Sequence, residues 1–147
     1  MKLEEIFEMW KQDCKIDQAR LADCQAQSPV LHQKYLQIHS NEKMRLVALE
    51  MSQKKLLKKK WLYYNGKMTK EEMDTEGWDY DPMGGLKIMK GDMNHWYDAD
   101  DDIQKSEAKI KLQKEKIEVL KEIIDNIKWR HQSIKNIITW KQFEAGI

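Results

Sequence analysis

Five lysines fall within seven residues at Lys54-Lys55-Leu56-Leu57-Lys58-Lys59-Lys60, and the run passes directly into Trp61-Leu62-Tyr63-Tyr64-Asn65-Gly66. Dense ammonium groups attract a polyanion, and flat aromatic rings offer faces on which bases stack. Lys54, Lys55, Lys58, Lys59, Lys60 and Trp61 are therefore the candidate nucleic-acid-binding residues, with a single strand as the ligand that this chemistry suits. The whole chain carries a formal net charge of only +1, so the positive charge is concentrated locally. From Met51 to Lys70 no Asp or Glu is present to form i,i+4 ion pairs with the lysines. A solvated charged face and a membrane-surface helix remain the competing readings of the same run.

Other chemistries find less support. Asp98, Asp100 and Asp102 alternate like the opening of a calcium loop, but Ile103 stands where that loop needs glycine and Lys109 where it needs glutamate. No phosphate-binding glycine loop and no nucleophile motif occurs. His32, His39, His95 and His131 are scattered, and Cys14 and Cys24 lie ten apart without a Cys-x-x-Cys pair. The sequence thus predicts a non-enzyme without catalytic residues, metal or cofactor. The acidic N-terminus and the lack of a long apolar run predict a soluble intracellular protein.

The lysines need an element to order them. Charged residues make up 35 % of 147 residues, and there are 6 Gly and 2 Pro. The mean hydropathy is -0.83. Such a chain suits amphipathic helices that complete their burial by self-association. The expected fold is all-α, with a helical N-terminal domain followed by a long C-terminal helix that mediates oligomerisation. Leu3, Ile6, Phe7 and Trp10 define a helix over 3–27. Ser28-Pro29 reads as the start of a second helix over 29–39, with serine as N-cap and proline in the first turn. A third helix over 41–64 carries Lys54, Lys55, Lys58 and Lys59 opposite its apolar arc. Lys60 instead projects among the apolar residues, where it must snorkel, sit at an edge or meet an anion. Thr69-Lys70-Glu71-Glu72 has the capping-box pattern of a short helix ending at Gly77, and 77–97 reads as an irregular loop.

A long helix is expected over 100–143, with two seven-residue series along it. Ile103, Ile110, Ile117, Ile124, His131 and Ile138 form one, and Ser106, Gln113, Leu120, Ile127, Ile134 and Lys141 the other. Ile117, Leu120, Ile124, Ile127, Ile134 and Ile138 are the candidate oligomerisation residues, with His131 as a polar specifier of register. Ile123 and Ile137 widen the apolar face, which implies more than one neighbour, either within the fold or in an oligomer. Trp129 is expected to be buried against a neighbouring helix, with base stacking as its alternative. The division by role is 1–66 for a helical domain with the basic, nucleic-acid-binding helix, 67–102 for a short helix and variable loop, and 103–147 for oligomerisation.

Three stretches together resemble the UvsY recombination mediators of T4-like bacteriophages. Glu42 to Gly66 is similar to the family's basic helix, through Leu57-Lys58-Lys59-Lys60-Trp61, Tyr63-Tyr64 and the turn glycine. Ile127-Lys128-x-Arg130 with Ile134-Lys135, and Phe143-Glu144-Ala145-Gly146 at the chain end, carry the rest. The loop at 67–102 lies outside the likeness. The resemblance implies single-stranded DNA binding, ring-like homo-oligomers, and help for a RecA-like recombinase in replacing the phage single-stranded-DNA-binding protein. It implies contacts with all three partners, in the host cell cytoplasm and without a membrane. Lys58 and Lys60 fall on the family's DNA-contacting positions, although Lys60 replaces an arginine, and Trp61 and Leu62 replace an aliphatic residue and an acid. The alternative is a helical oligomeric scaffold whose lysines are merely solvated. Whether Trp61 stacks on bases or on another subunit stays open at this level.

Overall fold

A computed structural model describes residues Met1–Ile147. The chain is all-α, as expected, with five helices: α1 (Leu3–Asp13), α2 (Leu21–Tyr64), α3 (Lys70–Glu76), α4 (Met93–Ala99) and the long C-terminal α5 (Asp101–Glu144). No helix is long and apolar enough to cross a membrane.

The first helix break falls at 14–20 rather than at Ser28-Pro29. The Asp17 carboxylate accepts the Ala19 N–H at 2.9 Å, and the Asp17 carbonyl accepts the Arg20 N–H at 3.0 Å. An aspartate that bonds two residues ahead offers the backbone an alternative to the helix. Pro29 sits inside α2, where the Ser28 hydroxyl donates to the Cys24 carbonyl at 3.4 Å instead of capping a new helix. Both Pro29 and Gln25 are exposed, so water can reach the carbonyl that the proline leaves without a donor. The two helices expected over 29–39 and 41–64 are thus parts of one 44-residue helix. The expected irregular stretch at 77–97 contains the start of α4. The short helix after Thr69 is present: the Thr69 hydroxyl accepts the Glu72 N–H at 3.2 Å, and Gly77, at φ 73°, closes it in the left-handed region.

The chain forms two compact units, one from Met1–Arg45 with Gln113–Ile147 and one from Leu46–Leu112. In the first, Ile6 of α1, Tyr35 of α2, and Leu120, Ile123, Ile124 and Ile127 of α5 make the core. Trp10 meets Tyr35 edge-to-face, with ring centres 5.5 Å apart. The Tyr35 hydroxyl donates to Asp13 at 2.8 Å, and burial together with this bond raises its pKa. The buried Arg130 donates to the carbonyls of Asp13 and Lys15, both at 3.3 Å, where a cation complements the end of α1. The Gln113 amide donates to the Glu42 carboxylate at 2.6 Å and to its carbonyl at 2.8 Å, so a polar pair is satisfied inside the core.

This packing corrects the reading of α5. Leu120, Ile124, Ile127 and Ile134 are buried within the chain itself and present no surface to another copy. The wide apolar face exists because α5 packs on both α1 and α2. His131 is exposed rather than in a seam, and its Nδ1 lies 2.9 Å from the Lys128 carbonyl. Of the six candidate oligomerisation residues only Ile138 is exposed, and Ile117 is partly so. Leu120→Ala should accordingly lower the unfolding free energy by about 2–5 kcal/mol. Ile138→Ala, on the subunit surface, should change the stability of the isolated subunit by less than about 0.5 kcal/mol. Urea unfolding followed by circular dichroism reads both, and equal costs at the two positions would contradict this assignment of the core.

Candidate nucleic-acid interface

The second unit contains the last turns of α2, from Leu46 to Tyr64, together with α3, α4 and the start of α5. Its buried apolar residues include Tyr63, Met73, Ile103 and Ile110. Tyr63, Leu56 and Leu57 face inward, which leaves Lys54, Lys55, Lys58 and Lys59 exposed on the other side of α2. Lys54 with Lys58, and Lys55 with Lys59, are four residues apart, a rise of about 6 Å each. Lys54, Lys55 and Lys58 form no ion pair within the chain. Lys59 is exposed but pairs with Glu76 at 2.8 Å. Three ammonium groups are thus free for an anion, and a fourth is held by a surface pair worth at most about 1 kcal/mol.

Lys60 does not join them. It is 3 % exposed, and its Nζ lies 2.9 Å from both Asp100 and Asp102. The same ammonium sits 3.8 Å from the centre of the Trp78 ring and 5.3 Å from that of Tyr63. Of the three environments open to a lysine among apolar neighbours, this one meets anions. The position is removed from any DNA-contacting set by burial, and a compact ammonium between two carboxylates uses the point charge of lysine rather than the planar fork of arginine.

The anionic partners are themselves organised. Asp100 precedes α5 and accepts the Ile103 N–H at 3.0 Å, as an N-cap does. It also accepts the Tyr64 hydroxyl at 2.5 Å. Burial pushes the Asp100 carboxyl up, but the bonds from Tyr64, Ile103 and Lys60 and the charge of Lys60 outweigh it, so its pKa is lowered. Burial and the bond to Asp100 push the Tyr64 hydroxyl up. The Trp78 indole donates to Asp102 at 2.9 Å, and the Tyr63 hydroxyl donates to the Asp79 carbonyl at 2.7 Å. The acidic block that resembled a calcium loop is thus answered by an ammonium, two aromatic side chains and a helix end.

Trp61 lies on the free face, three residues beyond Lys58, and is 41 % exposed. Lys67 Nζ sits 4.7 Å from its ring centre, a neighbour that sequence reasoning missed because Lys67 follows the helix-ending glycine turn. Trp129 belongs to the other unit and is exposed, not buried against a neighbouring helix as expected.

Residues 9–147 match the family model described as the recombination, repair and ssDNA binding protein UvsY. The chain is 28 % identical over 146 residues to the recombination protein uvsY of Enterobacteria phage T4, covering 99 % of each. Crystal structures of the bacteriophage T4 recombination mediator protein UvsY in two lattices match with TM-scores of 0.81 and 0.79, at 28 % and 26 % identity. They cover 99 % and 98 % of this chain, and 98 % and 99 % of theirs.

Removing one partner from a buried ion pair leaves the other uncompensated. Lys60→Ala should therefore cost about 3–5 kcal/mol of stability, against less than about 0.5 kcal/mol for the exposed Lys58→Ala; chemical denaturation separates the two. Asp100 has a folded pKa below its unfolded value of about 3.9. Its contribution is complete above that value and is lost as the pH falls through the folded pKa. Asp100→Asn should thus flatten the loss of stability between about pH 5 and pH 2. An unchanged acid profile would show that Asp100 is not held as described.

Proposed function

Given that the chain belongs to the family of UvsY recombination, repair and single-stranded-DNA-binding proteins, we propose that it is a recombination mediator. It binds single-stranded DNA as a homo-oligomer and promotes loading of a RecA-like phage recombinase in place of the phage single-stranded-DNA-binding protein. It does so in the cytoplasm of the host cell, without catalysis. The observation that carries this reading is the face of α2 on which Lys54, Lys55 and Lys58 stand free beside the half-exposed Trp61. Lys59 joins when a phosphate replaces Glu76. Lys60 acts through position, by anchoring the end of α2.

Three or four lysines hold a strand weakly, because each neutralised phosphate contributes a salt-sensitive increment. Several copies of the face on one assembly convert weak contacts into avidity. The end of α5 supports self-association as the means. Ile138, Trp140, Phe143 and Ile147 are exposed there, with Trp140 60 % and Phe143 71 % accessible. Trp140 and Phe143 stack with ring centres 5.5 Å apart. Large apolar groups left in water mark an interaction surface, and a closed ring of copies would cover them. A strand held in a geometry that recombinase accepts and the binding protein does not would drive the exchange by differential affinity.

Binding to a labelled single-stranded oligonucleotide across a salt titration, with a duplex control, tests the DNA face. Lys58→Ala should reduce the slope of log affinity against log salt by about 0.7 for each copy engaged by the strand. Absence of binding at low salt by an intact oligomer would leave the scaffold reading in front. The double variant Trp140→Ala/Phe143→Ala should sediment as a smaller species with its helicity intact, and bind at least about 100-fold more weakly. Tight binding by that smaller species would remove avidity from the mechanism.

A further inference from the structure

A cleft of about 650 Å³ opens within the second unit beside the C-terminal end of α2. Its walls include Met68, Met73, Met83 and Ile88, and Lys67, Lys70 and Lys87 also line it. Tyr80, 70 % exposed, stands on the same lining with Lys70 Nζ 6.0 Å from its ring centre. The one acid there, Asp81, is engaged by its own loop. Its carboxylate accepts the Gly85 N–H at 3.1 Å and its carbonyl accepts the Gly84 N–H at 3.2 Å, with the backbone held at φ 50°. The only amide side chain, Asn65, spends its Nδ2 on the Trp61 carbonyl at 2.7 Å. Three lysines therefore face one carboxylate, around a cleft of mixed polar and apolar lining with an exposed aromatic ring.

The cleft is continuous with the basic face. Lys54, Lys58 and Trp61 follow one another at four and three residues along one side of α2. Lys67 then covers the Trp61 ring at 4.7 Å and itself lines the cleft. We propose that this cleft is a second subsite for single-stranded DNA: an unstacked base enters against Tyr80 and the methionines, while Lys67, Lys70 and Lys87 meet the flanking phosphates. The inference rests on the reading of the α2 face as a single-strand binder and extends its path. A paired base enters only after it is unpaired and unstacked, which costs free energy that a single strand does not pay, so the cleft favours a single strand over duplex.

The test uses the full-length oligomer and poly-thymidine oligonucleotides of increasing length, some carrying a photoactivatable 4-thiothymidine. Light should cross-link the probe to the segment 80–88 as well as to 54–61. For each engaged copy, Tyr80→Ala should weaken binding about five- to a hundred-fold, and Lys70→Gln/Lys87→Gln should lower the salt slope by about 1.4. All three substitutions are on exposed side chains, and circular dichroism verifies the fold. Wild-type affinity and slope in these variants, with cross-links confined to 54–61, would overturn the subsite while leaving the α2 face intact. Loss of an acidic amphipathic peptide probe by the same variants, with DNA binding unchanged, would overturn it in favour of a protein occupant. A wild-type oligomer that binds no single strand would sink the reading of the face itself.

Discussion

The ammonium of Lys60 between Asp100 and Asp102 is the contact on which the functional half of the second unit depends. Buried charges are costly unless paired and hydrogen-bonded. Here each carboxylate has a further donor, from Tyr64 and Ile103 to Asp100 and from Trp78 to Asp102. The cluster joins the last turn of α2, the loop bearing Trp78 and the first turn of α5. Aromatic contacts extend it, with Tyr63 5.0 Å from Trp78 and Tyr64 6.0 Å from Trp96 between ring centres. Two acids thus fix the orientation of the helix whose other lysines must remain free.

One run of lysines therefore has three physical fates. Lys54, Lys55 and Lys58 are solvated, Lys59 is loosely paired, and Lys60 is part of the interior. Amphipathic spacing separates the first four from the apolar arc, and it also marks Lys60 as different. Spacing could not say which anion Lys60 meets, because Asp100 and Asp102 lie forty residues away and only tertiary folding brings them close. The resemblance to relatives placed position 60 among DNA contacts. The burial of Lys60 here, between Asp100 and Asp102, gives it a structural partner that a sequence match at one basic position does not reveal.

Elsewhere legibility followed locality. The Thr69 cap, the Gly77 stop and the long α5 are written in adjacent residues and were readable. Pro29 misled because a serine before a proline is locally a good helix start, whereas the real break depends on Asp17 bonding its own turn. The seven-residue series of α5 marked much of its apolar face, although His131, Ile138 and Lys141 are exposed, and did not show what covers that face. A stripe of isoleucines meets α1 and α2 of the same chain as readily as another copy, and only the core contacts of Ile6 and Tyr35 decide between them. Polar Gln113 and Arg130 were hidden for the same reason, since their partners are Glu42 and the carbonyls at the end of α1.

On the proposed reading, the pair between Lys59 and Glu76 bears on how long a strand stays bound. Glu76 is an anion tethered next to the lysine it neutralises, so it competes with phosphate for that site at every moment. A departing phosphate leaves no bare ammonium behind, because the carboxylate takes its place. Replacing one anion by another lowers the barrier to release without abolishing attraction. On the proposed reading, a protein that must hand its strand to another is served by brief residence at the edge of its binding face, and one glutamate on a seven-residue helix supplies it.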